Sequence, residues 1–142
     1  MILFDLETDG LLDELTCIHT IHAYDTETDT FLRFNEGKFS DGSPAKSDGT
    51  IADGIKLISS ADSLAGHNII GYDLLAIRKL CPDFRHTSNL HDTLIYTRLI
   101  YPHLSEIDAK AIRKRKRPEG FGKFVGSNKL EAWGMRLGEH KG

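Results

Sequence analysis

The order of the apolar patterns constrains this chain more than any single residue does. Three β-rich runs come first, Met1 to Thr8, Thr16 to Tyr24 and Thr30 to Phe34, the last two joined by the polar turn Asp25 to Asp29. A polar, glycine-rich loop from Asn35 to Gly49 follows, and then the period changes. Thr50 to Ser60 places Ile51, Ile55 and Ile58 at helical spacing, with Thr50 and Asp53 positioned to accept free backbone N–H groups. Ser63 to Asn68 reads as a short strand, and Gly71 to Leu80 as a helix stopped by Pro82. A second short strand ends at Leu90-His91-Asp92, and a helix from Thr93 to Tyr101, capped by Asp92, ends before Pro102. A meander followed by strand–helix units predicts an α/β fold. Its sheet is mixed, an antiparallel three-strand meander plus parallel strands, with flanking helices.

The chain's 142 residues are expected to form one domain around a real core, residues 1 to 142 together. Cys17 and Cys81 lack a paired metal-ligand spacing and stand in apolar contexts, so both are expected to be reduced and in or near the core, with no zinc site. No apolar run is long enough for a membrane span, and the start lacks a signal peptide's pattern. A soluble, cytoplasmic protein is expected, with no membrane partner. Net charge is −3, but residues 1–108 carry −10 and residues 109–142 carry +7. This split suggests a cation-binding body joined to a segment suited to a polyanion.

The first strand carries the strongest chemical signal. Side chains alternate across a strand, so Asp5 and Glu7 project to one face while Phe4 and Leu6 project to the other. Two like charges at the end of a buried strand repel, and a divalent cation between them relieves the repulsion. A solvated strand end would also carry Asp-x-Glu, but a third carboxylate, Asp73, stands where the chain leaves a strand and enters a helix, with Asn68 and Tyr72 just before it. Strand exits of this kind in open sheets are where ligands bind. Asp5-x-Glu7 followed by Asn68-x-x-x-Tyr72-Asp73 is far more specific than either piece alone.

Both pieces resemble the motifs of the DEDD (DnaQ-like) 3'-5' exonucleases, Asp-x-Glu and Asn-x-x-x-(Phe/Tyr)-Asp. Within that family the chain closely resembles the exonuclease domain at the N-terminus of T-seven-like bacteriophage DNA polymerases. That likeness includes Asp92-Thr93-Leu94 and the stretch from Leu130 to Glu139. It implies a ribonuclease H-like fold and a proofreading 3'-5' exonuclease acting on the 3' end of single-stranded DNA. It implies further that Asp5, Glu7 and Asp73 are catalytic ligands of two divalent metal ions, Mg²⁺ or Mn²⁺, Asp5 bridging them. Thr8 would meet the terminal nucleotide, and Asn68 and Tyr72 would position the strand. The family's third motif, Tyr-x-x-x-Asp or His-x-x-x-x-Asp, is absent, since no aspartate follows Asp108 and His140 leaves no room for one. A truncated domain, a polymerase domain or second chain supplying the fourth carboxylate, a silent nucleic-acid-binding or polymerase-binding module, and Glu139 as substitute all remain open. So does an RNA-directed exonuclease.

Elsewhere the pattern divides between structure and binding. The run Arg113-Lys114-Arg115-Lys116-Arg117 is either a solvated loop or a sequence-independent phosphate contact, with Arg113, Lys114 and Arg115 the candidates. The stretch Ser105 to Val125 gives no clear element, and Phe121 and Phe124 are either core or stacking residues. The last helix starts at Asn128-Lys129-Leu130-Glu131, which has capping-box spacing. It is expected to turn Leu130, Trp133 and Leu137 into the core. His67 and His91 sit at strand ends as structural histidines.

Overall fold

A computed structural model gives the fold for residues 1–38 and 42–139; Asp41 and His140 lie outside the described residues. Five strands form one sheet in the order β3-β2-β1-β4-β5. They are β1 (Ile2–Thr8), β2 (Ile18–Asp25), β3 (Thr30–Phe34), β4 (Ser63–Gly66) and β5 (Asn89–Asp92). The first three pair antiparallel, while β4 pairs parallel with both β1 and β5. The expected mixed sheet is thus present, in an arrangement consistent with a ribonuclease H-like fold. The chain divides into two compact units, Met1–Thr93 and a second beginning at Leu94.

In the first unit, α1 (Ile51–Ser60) and α2 (Asp73–Leu80) pack on the apolar face of the sheet. Phe4, Leu6 and Ile21 of the strands meet Ile58 of α1 and Leu74 and Ile77 of α2 there. Thr50 and Asp53 close a reciprocal capping box at the start of α1. Gly54 sits where that helix comes closest to the sheet, since a Cβ there would lie 2.9 Å from both Ile21 and Phe34.

Element ends differ from the sequence reading for local reasons. β2 starts at Ile18, not Thr16, because the Asp9 carboxylate takes the N–H groups of Thr16 and Cys17 and holds them out of the ladder. β4 ends at Gly66, because Asn68 turns into the left-handed region at φ 70°. α2 begins at Asp73, two residues late, because the Gly71 and Tyr72 N–H groups close a turn on the Asn68 carbonyl. Cys17 is exposed, contrary to the core placement expected of it, and Cys81 is half-buried; both are free thiols.

The second unit contains α3 (Thr93–Ile100, its first residue in the other unit), α4 (Leu104–Arg113), a 3₁₀ turn (Phe121–Phe124) and α5 (Leu130–Leu137). Phe121, Phe124 and Ala132 form a small core with Met135 against it, so both phenylalanines are structural. Beside this core lies Asp108 of α4, fully buried. Arg136 donates to both its carboxylate oxygens, from Nε at 3.1 Å and Nη2 at 2.7 Å. Arg117, from Nη2 at 3.2 Å and Nε at 3.4 Å, and the Gly126 N–H at 3.0 Å complete the set. Both guanidinium groups also lie over the Phe121 ring at 5.3 Å. Burial pushes the Asp108 carboxyl up, but the Arg136 hydrogen bond and charge, with Gly126 and Arg117, hold it below its ordinary range.

The start of α5 corrects the sequence reading. Lys129 stands at the N-cap without a side-chain cap, and Asn128 Oδ1 has no partner among the described residues. The expected apolar face is not buried as a whole, for Leu130 is 54% and Leu137 71% exposed. Trp133 is half-buried, against Tyr101 at 5.3 Å and with the Arg136 guanidinium 4.7 Å from its ring.

Candidate active site

The site forms where β1 loses its neighbour on one side. β4 pairs with β1 only at Ile2 and Leu3, then ends at Gly66. Gly66 approaches so closely that a Cβ on it would lie 2.7 Å from the Phe4 carbonyl and 2.4 Å from Ile69. Beyond Leu3, among the described residues, no strand pairs with this edge of β1, and the Leu6 N–H is left without a strand partner. Asp73, first residue of α2, fills the gap by accepting that N–H on Oδ1 at 3.1 Å. The third carboxylate is therefore docked on the backbone between Asp5 and Glu7. Asp5 and Glu7 are exposed on the face opposite Phe4 and Leu6, as strand alternation requires.

The electrostatics of this arrangement are unfavourable to a bare carboxylate. Asp73 is buried, and burial together with the neighbouring charge of Asp5 pushes its pKa up from 3.8 to about 7, against the lowering effect of the Leu6 N–H. The Asp92 charge adds to the rise. Among the described residues, no three His, Cys, Asp or Glu side chains converge into a ready cage for a metal ion. The donor chemistry nonetheless fits a hard cation that keeps several waters and is held through one or two carboxylates, with Asp5 and Asp73 nearest to that role.

Asp92 is the residue that sequence reasoning undervalued. Expected as a helix cap, it is buried at the end of β5, and its carboxylate spans to the connection between β4 and α2. Oδ1 accepts the Asn68 N–H and Oδ2 the Ile70 N–H, both at 3.0 Å. It thereby fixes the turn that delivers Asp73. Asp92→Ala would strand both N–H groups and is expected to lower unfolding stability by about 1–3 kcal/mol in urea titrations. A loss under a few tenths of a kcal/mol would show that the turn holds itself.

The other expected residues fall into two groups. Thr8 and Tyr72 come together, their hydroxyls forming a triangle with the Gly10 carbonyl, in which Tyr72 Oη lies 2.6 Å and Thr8 Oγ1 3.1 Å from that oxygen. Two hydroxyl protons serve three contacts, so the triangle ties the end of β1 to the start of α2. Asn68 folds back over Gly71, where an added Cβ would meet its Oδ1 at 2.5 Å. His67 Nδ1 pairs with Thr93 Oγ1 at 2.9 Å, the structural role expected of it. Arg113, Lys114 and Arg115 are exposed but belong to the second unit, at and just after the end of α4. Arg117, counted in the same basic run, is engaged by Asp108. No described helix is long and apolar enough to cross a membrane.

No protein-family model matches the chain. Over its whole length it is similar to the DNA-directed DNA polymerase of Escherichia phage T7, 33% identical over 149 aligned positions. It is likewise similar to the DNA-directed DNA polymerase of Enterobacteria phage T3, 32% identical over 149 positions. The chain spans only 20% of the length of each, so its sequence is related to about a fifth of a phage DNA polymerase.

Proposed function

We propose that this chain is a 3'-5' exonuclease domain of a phage-type DNA polymerase. It would remove nucleotides from the 3' end of single-stranded DNA for proofreading, with divalent cations, Mg²⁺ or Mn²⁺, held at Asp5, Glu7 and Asp73. The observation that carries the reading is the buried Asp73 carboxylate seated on the Leu6 N–H between Asp5 and Glu7. The whole-length similarity to phage polymerases supports it. A divalent cation bound there supplies Lewis acidity at the scissile phosphate and a water of lowered pKa. The chain's own residues do the rest. Asp5 and Asp73 concentrate negative charge in the opening beside β1. The Thr8–Tyr72–Gly10 triangle fixes the rim where the terminal nucleotide would rest, and Asp92 keeps the Asn68 turn in place.

The lack of a ready three-ligand cage among the described residues favours one second reading, a module of this fold that binds nucleic acid without cutting it. A 5'-labelled single-stranded DNA oligomer incubated with Mn²⁺ separates the two. The exonuclease reading predicts progressive shortening from the 3' end, slowed at least about 100-fold in Asp5→Ala, a barrier change of about 2.7 kcal/mol. Undamaged DNA with the wild-type chain would leave the binding module as the better account. A matched RNA oligomer in the same assay reports the sugar preference.

A further inference from the structure

The face of the sheet that carries Asp5 continues across β2 and β3 as a basic surface. Asp5 stands directly opposite His22, and His22 directly opposite Arg33. All three are exposed, so they form one row on one face. Directly paired residues have Cβ atoms about 5 Å apart, which places the row's far end about 10 Å from Asp5. A cavity of about 520 Å³ opens along this side, lined by His19, Thr20, His22, Arg33, Lys38 and Lys46 together with Asn35 and Ala45. Among the described residues, no carboxylate lines it.

Four further observations mark the cavity as a site for an anion. Arg33, Lys38 and Lys46 are three of the eight lysines and arginines among residues 1–108, which carry −10 overall, yet they gather here. None of them makes an ion pair among the described residues. The wall is also built: Asn35, buried, donates from Nδ2 to the Lys46 carbonyl at 2.9 Å and accepts the Gly37 N–H at 2.7 Å, which anchors the backbone at Lys46 and next to Lys38. Thr20, on β2, has a buried hydroxyl with no hydrogen-bond partner among the described residues.

We propose that this cavity is the phosphate track for the single strand, binding the backbone of nucleotides on the 5' side of the one held at the carboxylates. The inference rests on the exonuclease reading above and names how its substrate is held. A cluster of unpaired cations that begins in the row carrying Asp5 matches a polyanion that must reach an acidic centre against its charge. Because the contacts are to phosphates, they carry no base preference.

The test is fluorescence anisotropy of labelled oligo-dT with Ca²⁺, alongside Mn²⁺-dependent cleavage of oligo-dT and of a thymidine dinucleotide. Arg33→Ala/Lys38→Ala/Lys46→Ala is expected to weaken oligo-dT binding about tenfold or more. Three lost contacts should also flatten the slope of log affinity against log salt by about 2, at roughly 0.7 per phosphate on a single strand. KM for oligo-dT should rise while cleavage of the dinucleotide, too short to reach the cavity, is unchanged. The charge-preserving Arg33→Lys/Lys38→Arg/Lys46→Arg should stay within about twofold of wild type, which a merely misfolded loop would not explain. Wild-type affinity and salt slope in the alanine variant, with cleavage intact, would overturn the track and leave the exonuclease reading standing. A wild-type chain that neither binds nor cuts oligo-dT would overturn both.

Discussion

Asp108→Ala is expected to destabilise the second unit by about 3–5 kcal/mol, the largest single-residue effect on stability in the chain. The physical reason is asymmetric. The Asp108 and Arg136 side chains are 0% and 3% exposed, so removing the carboxylate leaves a buried guanidinium with no counter-charge, and Arg117 and the Gly126 N–H lose an acceptor. Removing both charges is a different matter. Asp108→Leu combined with Arg136→Met leaves no buried orphan from the pair, and is expected to recover the part of the loss that comes from Arg136, while Arg117 and the Gly126 N–H stay without their acceptor. Trp133 is the only tryptophan and lies over Arg136, so its fluorescence in urea reports this unit directly. A change below about 1 kcal/mol in Asp108→Ala would mean that water or local rearrangement satisfies Arg136.

The second large effect is a dependence of stability on pH that runs opposite to that of most carboxylates. Asp73 titrates at about 7 in the folded chain, against an ordinary 3.8 for an aspartate that neither burial nor a neighbouring charge perturbs, as in the unfolded chain. Between those values the native state holds a proton that the unfolded chain has released. The stabilisation is therefore complete below about pH 4 and is lost as pH rises through about 7, up to about 4 kcal/mol in all. Asp73→Asn imitates the protonated form and keeps an acceptor for the Leu6 N–H. Without divalent cations it should match wild type near pH 4 and exceed it by up to about 4 kcal/mol near pH 8. Mn²⁺ should restore the wild-type chain at the higher pH and leave Asp73→Asn unmoved. Parallel stability curves for the two chains would show that Asp73 ionises freely and feels neither burial nor Asp5.

Much of this was legible in the sequence, because strand alternation and strand order depend on local pattern. Asp5 and Glu7 share a face because the strand period is two, and the three-strand start followed by strand–helix alternation left few sheets to choose from. Asp73 could be placed at a helix start, but its hydrogen bond to Leu6 depends on β4 parting from β1 after two residue pairs, which no local pattern announces. Asp92 was hidden for a similar reason. An aspartate before a helix reads as a cap, whereas its partners Asn68 and Ile70 lie more than twenty residues away. Asp108 offered a signal that went unused: it stands four residues after Leu104, on the one buried stripe of its helix. The placement of Arg33 is a product of register, since only the pairing of Asp5 with His22 and of His22 with Arg33 sets it in the row that carries Asp5.

The central claim is that Asp5 and Asp73 form a cation site, and calorimetric titration of the chain with Mn²⁺ near pH 8 tests it most directly. Saturable binding to the wild-type chain is expected, accompanied by release of the Asp73 proton as the pH is lowered towards 7, and weakened at least about tenfold in both Asp5→Ala and Asp73→Asn. Binding of equal strength in all three chains would place the ion elsewhere and contradict the claim.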